Sequence, residues 1–249
     1  MKTVTIDKRR HLALPGNKEA TIAYCVDHLI DCYRAAVHDH GFFSLALSGG
    51  STPKAIYGKL ALSNEIDWSK VHLFFSDERS VPPTDPDSNY KMALESGFAA
   101  INPPHIHRMV AEKDMPQNAL AYEKLIERTL KGNPFDYIML GMGEDGHTAS
   151  LFPNSDALEE TKRLVVPNYA APKKSWRMTF TFPLINSALH TVIYVIGEDK
   201  APMLASILNE KSEAKLPPSG RVGTALHPAL WIADDKAAKL ISKKHPQKN

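Results

Sequence analysis

The chain has 249 residues, 43% of them apolar and 23% charged, with a formal net charge of +2. That length suits one large α/β domain or two small ones, and so small a net charge gives no general attraction to nucleic acid. No apolar run reaches membrane-spanning length, and the first ten residues lack the apolar stretch of a signal peptide, so the cytoplasm is the expected compartment.

In chain order, residues 3–14 are expected to be extended, with edge character. Residues 17–38 carry Ile22, Cys25, Val26, Leu29, Ile30 and Tyr33 at helical spacing, with Asn17 as the cap. Cys25 and Cys32 fall on this helix about 10 Å apart along its axis, too far for a bridge, so two buried thiols are expected. Gly41 ends the helix, and 42–47 is a compact strand. Ser48-Gly-Gly-Ser-Thr-Pro53 leads into a helix over 54–62, with Thr52 as its cap and Pro53 at its first position. Residues 71–75 form a buried strand that ends in Ser76-Asp77-Glu78-Arg79. A polar loop follows, and Ser88 or Asn89 starts a helix running to about Ser96.

Further on, His105-Ile-His107 is expected to be a surface strand, since two alternating histidines without a third ligand are weak grounds for a metal; His38 and His40 are placed on the surface too. Residues 115–131 are helical. Strands are expected over 137–140, 164–166, 177–182 and 190–196, with Thr179 and Thr181 on a solvated face. Gly197 precedes a helix through Leu208 that carries Lys200 in its first turn. Residues 211–220 are a proline-containing loop, 229–233 a last strand, and Asp234 the cap of a short final helix. The tail from Lys243 is expected to be solvated. Strands alternate with helices and no long linker intervenes, so the expectation is one α/β domain over 1–249, a mostly parallel sheet with helices on both faces.

Three loops at strand ends have chemistry in them. Ser48–Thr52 offers hydroxyls and free backbone N–H groups at the positive end of a helix, an anion site suited to phosphate. Asp77, Glu78 and Arg79 crowd the C-terminal end of a strand, where open α/β sheets hold ligands. Gly141-Met-Gly143-Glu-Asp-Gly146-His147 follows a buried strand. Its G-x-G-x-x-G pattern matches a dinucleotide fingerprint, but Pro153 comes seven residues after the last glycine, too soon for the helix that fingerprint needs. His147 suits a general base that activates water, Asp145 can fix its tautomer or hold the water, and loop amides can support an oxyanion.

Together, Leu47-Ser-Gly-Gly-Ser-Thr-Pro-Lys54, Phe75-Ser-Asp-Glu-Arg-Ser-Val-Pro82 with Asp87-Ser-Asn89, and Gly141 to Pro153 resemble the signature set of 6-phosphogluconolactonases. The resemblance implies a Rossmann-like fold and hydrolysis of 6-phosphoglucono-δ-lactone to 6-phosphogluconate, with no metal and no organic cofactor. It puts the base on His147, with Asp145, Asp77 and Arg79 beside it. Substrate binding falls on Ser48, Gly49, Gly50, Ser51, Thr52 and Gly143, with Arg177 and Lys200 as further phosphate ligands. The partner is a small sugar-phosphate lactone, and the chain is expected to be a monomer or weak homodimer.

The related amino-sugar phosphate deaminases carry Asp-Glu-Tyr where this chain has Asp77-Glu-Arg79, and Asn-Glu-Pro where it has Leu151-Phe152-Pro153. Both departures favour the lactonase. A non-catalytic sugar-phosphate sensor is a second alternative, disfavoured by the intact Asp145-Gly-His147. A nicotinamide-dependent oxidoreductase is third and rests on the glycine pattern alone.

Overall fold

The computed structural model describes residues 3–241. Its centre is a seven-stranded sheet in the order β1-β2-β10-β9-β6-β3-β4. The strands are β1 (Val4–Asp7), β2 (Arg10–Gly16), β3 (Phe43–Leu47), β4 (Val71–Phe75), β6 (Tyr137–Gly141), β9 (His190–Val195) and β10 (Ala229–Asp234). Only β1 runs antiparallel to its neighbour. All of β3 and the first four residues of β6 are buried, so both faces of the sheet are covered, as parallel sheets require. A second, antiparallel sheet joins β5 (Asp77–Arg79), β8 (Ser175–Phe180) and β7 (Val165–Ala170).

The helices are α1 (Lys18–His40), α2 (Ser51–Leu60), α3 (Asn89–Ala93), α4 (Ala99–Ile101), α5 (Met115–Leu130), α6 (Phe182–Ile185) and α7 (Ala201–Asn209). Asn17 caps α1 by accepting from the Ala20 N–H at 2.9 Å, and Gly41 ends it in the left-handed region. Cys25 and Cys32 are buried free thiols, and burial pushes both up to about 12.

Several local expectations are refined or corrected. The N-terminal stretch is extended at the sheet's edge as expected, and folds there as a hairpin of β1 and β2. Helix α2 starts at Ser51 rather than at Lys54: the chain turns at Gly50 (φ 109), so Gly50, not Thr52, occupies the cap position, and no side chain caps it. Helix α3 passes at Ala93 into a π turn over Leu94–Phe98, so the chain stays helical past Ser96 as expected; the kink falls at Gly97 (φ 131), where an added Cβ would lie 2.4 Å from Ala61 Cβ. His105-Ile-His107 is not a strand. Ile106 makes a single bridge to Leu73, and His105 stacks on His72 with centroids 4.4 Å apart. His40 binds the buried Asp136 at 2.9 Å.

Thr179 and Thr181 are fully buried, because their hydroxyls serve backbone partners that water would otherwise have to satisfy. Lys200 sits in a 3-10 turn that precedes α7. Asp234 does accept from Ala237 N, but residues 235–241 form turns and a bend rather than a helix. The tail from Lys243 lies outside the described residues.

Candidate active site

Parallel strands bring their C-terminal ends to one edge. In this sheet four neighbours, β4, β3, β6 and β9, deliver Asp77, Ser48, the glycine loop and Lys200 to the same rim. The small sheet adds a fifth contributor. Strand β5 pairs with β8 so that Arg79 lies directly opposite Arg177.

The cleft between them has a volume of about 270 Å³. It is lined by nine of the twelve residues named above: Ser48, Gly49, Gly50, Asp77, Arg79, Gly143, His147, Arg177 and Lys200. Asp145 stands behind His147 rather than on the wall. Ser51 and Thr52 belong to the first turn of α2 and are not part of the lining. Two larger depressions, of about 700 and 500 Å³, adjoin Arg9 and contain none of the motif residues.

The His147 ring is held on three sides. Its Nδ1 lies 2.5 Å from Asp145 Oδ1, and that same oxygen accepts from the His147 N–H at 3.1 Å. Its face stacks on Phe152, 4.3 Å away. Gly143 lies so close beneath that an added Cβ would be 2.1 Å from His147 Nδ1. Partial burial works to raise the Asp145 carboxyl, but the His147 amide and imidazole outweigh it and hold it below its ordinary range.

The loop amides are less free than expected. Gly143 N donates to His147 O at 2.9 Å, Gly146 N to Gly143 O at 3.0 Å, and His147 N to Asp145. These three N–H groups shape the loop instead of facing a ligand.

The Asp-Glu-Arg triplet divides by face, as alternate residues of a strand must. Asp77 and Arg79 line the cleft. Glu78 points the other way, is 2% exposed, and accepts from the backbone N–H groups of Arg79, Asn89 and Tyr90 and from Ser88 Oγ. Burial pushes its carboxyl up, and those amides reverse the effect only in part. Asp77 is also well braced. Ser150 Oγ donates to its Oδ2 at 2.7 Å, and Asn89 Nδ2 donates to its carbonyl at 2.8 Å and its Oδ1 at 3.2 Å.

The cationic side is unbalanced. Burial, and then the facing Arg79 guanidinium, push Arg177 below the usual arginine range. Arg79 Nε is buried without a partner. Lys173, which the sequence reading did not single out, adds a further positive charge from the β7–β8 turn. Its only signal was the Lys173-Lys174 pair just before Arg177. Phe152, the platform under His147, was inside the third motif but had no role assigned to it. Among the described residues, no group of three or more His, Cys, Asp or Glu is placed to hold a metal ion.

Residues 16–231 match a protein family described as glucosamine-6-phosphate isomerases/6-phosphogluconolactonase. The chain belongs to that family. A 6-phosphogluconolactonase of Chlamydia pneumoniae is 44% identical over 200 residues, covering 79% of this chain and 77% of the relative. One from a Nostoc species is 34% identical over 234 residues, covering 91% and 96%. Among solved structures, the 6-phosphogluconolactonase from Trypanosoma cruzi superposes with a TM-score of 0.80 at 27% identity, covering 97% of this chain and all of that one. The one from Thermotoga maritima gives 0.77 at 26% identity, covering 91% and 99%. The family thus supports the fold class expected from alternating strands and helices, and the small antiparallel sheet is the part that expectation lacked.

Proposed function

We propose that this chain hydrolyses 6-phospho-D-glucono-1,5-lactone to 6-phospho-D-gluconate in the oxidative pentose phosphate pathway, with His147 as general base. The observation that carries the mechanism is His147 on the wall of a cation-rich cleft with Asp145 paired behind it. With Nδ1 tied to Asp145, Nε2 is the nitrogen left for a water molecule. The ionised Asp145 fixes that tautomer and stabilises the imidazolium that forms.

The hydroxide adds to the ring carbonyl carbon. As the tetrahedral intermediate collapses, the bond from that carbon to the ring oxygen breaks, and the imidazolium returns its proton to the leaving oxygen. A δ-lactone is an activated ester, so no covalent nucleophile is needed. Three loop amides are already engaged, so the developing oxyanion is assigned to Arg79. Arg177, Lys200 and the Ser48–Gly50 turn take the phosphate, whose binding orients the carbonyl.

The same reading makes residues 1–249 one domain acting as a monomer or weak homodimer, without nucleic acid or a cofactor. Among the described residues no helix is long and apolar enough to cross a membrane. The cytoplasm is the proposed compartment, although one relative in Arabidopsis thaliana is described as chloroplastic.

The test is acid release from freshly made lactone above its spontaneous rate, with glucosamine 6-phosphate run alongside for ammonia. His147→Ala should lose roughly 10²- to 10⁴-fold in kcat while a substrate analogue still binds. Near-normal turnover by that variant would refute the role, and ammonia without lactone hydrolysis would refute the activity.

A further inference from the structure

The glycine loop is held from outside by a segment that none of its motifs includes. Gly146 takes a positive φ of 79° immediately before His147. Its carbonyl accepts from Ser219 N at 2.9 Å. Pro217 packs so closely that a Cβ on Gly146 would lie 2.5 Å from Pro217 Cβ. The shape of the His147 loop therefore depends on where the 217–219 turn sits.

The segment around that turn is braced by Asn186 Oδ1, which accepts from Gly223 N at 2.7 Å, by Arg221 Nη2, which donates to Leu158 O at 3.4 Å, and by one side chain from the far end of the sequence. Arg9, in the turn between β1 and β2, donates from Nε to Gly223 O at 2.9 Å and from Nη2 to Gly220 O at 3.5 Å. Its Nη1 meets Glu213 Oε1 at 2.5 Å. A single guanidinium thus bridges the two ends of the 213–223 segment. The backbone of Arg9 is itself fixed: its carbonyl accepts from Ala229 N at 2.9 Å, and its N–H donates to Asp7. The planar fork of arginine suits several acceptors at once, which a lysine cannot match. Closing a segment at both ends removes loop freedom that would otherwise reach Gly146.

We propose that Arg9 is a positioning residue for the reaction, acting through the 213–223 segment on Gly146 and hence on the aim of the His147 ring. The inference rests on His147 being the base. Without the clamp the 217–219 turn drifts, the loop relaxes, and the imidazole spends less time aligned. Substrate binding, which depends on other loops, is spared.

The experiment compares Arg9→Met, Arg9→Lys and Glu213→Gln. Arg9→Met should lower kcat roughly tenfold, within the ~10²-fold that a 1 Å misplacement can cost, with KM changed less than about twofold. Arg9→Lys should recover only part of the loss, and Glu213→Gln, which leaves both carbonyl contacts in place, should stay near native. The proton NMR resonance of His147 Nδ1–H should shift in Arg9→Met.

If Arg9→Met melts earlier yet keeps native kcat and an unmoved resonance, Arg9 is only structural and the proposal fails. A rise in KM at constant kcat would also overturn it. Should Arg9→Met fail to fold, Pro217→Gly loosens the same turn and must show the same kcat-limited loss. A failure of the underlying reading looks different: there His147→Ala itself keeps turnover.

Discussion

Gly143→Ala is the sharpest probe of the His147 site, because the structure fixes what one methyl group must do. Gly143 does not have a positive φ, so alanine is tolerated by the backbone itself. Its Cβ, however, would lie 2.1 Å from His147 Nδ1 and 2.5 Å from Asp145 Oδ1. To reach the 3.4 Å of ordinary contact, the imidazole must retreat by the difference, about 1.3 Å. The hydrogen bond between His147 and Asp145 at 2.5 Å cannot survive that move. A misplacement of about 1 Å costs on the order of 10²-fold in rate, or about 2.7 kcal/mol of barrier. The assay is initial acid release from the lactone, corrected for spontaneous hydrolysis, with kcat and KM separated. The loss should fall on kcat, since the cations and the Ser48–Gly50 turn are untouched. A variant with kcat within twofold of native would show that the pair does not govern the rate.

Other outcomes follow from the same geometry. Arg177→Met should raise KM tenfold or more while the ligand-free melting temperature holds or rises, because the facing Arg79 loses a like charge; an unchanged KM would move the phosphate elsewhere. Gly49→Ala places a Cβ 2.1 Å from Asn89 Oδ1 and should also raise KM, with a smaller effect on kcat than Gly143→Ala. Burial, and then His190, hold His28 at about 4, below its ordinary 6.5. The folded chain therefore binds fewer protons there than the unfolded one, so this contribution is intact above about pH 6.5 and is lost as pH falls toward 4. Between pH 7 and 5 the loss is about 2 kcal/mol, at ~1.4 kcal/mol per unit. Urea unfolding at both pH values should show at least that loss, since burial also holds His107 at about 4, and His28→Phe should lessen the slope by the His28 share; an equal slope in that variant would remove His28 from the account.

The main sheet was legible because its strands are short apolar runs between glycine, proline and polar turns, and because parallel topology sends every strand's chemistry to one edge. The site motifs were legible for the same reason: Ser48 follows β3 directly, Asp77 comes one residue after β4, and Gly141 ends β6. The small sheet was not. Strand β5 is the three polar residues Asp77, Glu78 and Arg79, with no periodicity to read, and only pairing with β8 makes it a strand. Thr179 misled because alternation with Met178 and Phe180 usually marks a wet face, whereas here its hydroxyl receives Ser150 N. Lys173 and Arg9 could not be found by spacing, since distant chain segments fix their neighbours.

The pairing of β5 with β8 also explains why the cleft selects an anion. Register alone puts Arg79 against Arg177, and a slip of one residue would turn both Asp77 and Arg79 away from the cleft. Like charges placed opposite each other destabilise a sheet. The nearby carboxylates of Asp77, Asp87 and Glu78 offset this only in part, since burial and Arg79 still hold Arg177 below the usual arginine range. Asp77 is hydrogen-bonded to Ser150 and Asn89, and Glu78 faces the start of α3. The folded chain therefore holds two facing guanidiniums, only partly balanced by carboxylates, on the wall of a water-accessible cleft. A phosphate dianion bound on the Arg177 side offsets that repulsion and accepts charge-assisted hydrogen bonds from Arg177, which leaves Arg79 to the carbonyl oxygen. The gain appears only when the ligand is in place, so it favours the orientation that brings the lactone carbonyl between Arg79 and His147, which line the same small cleft.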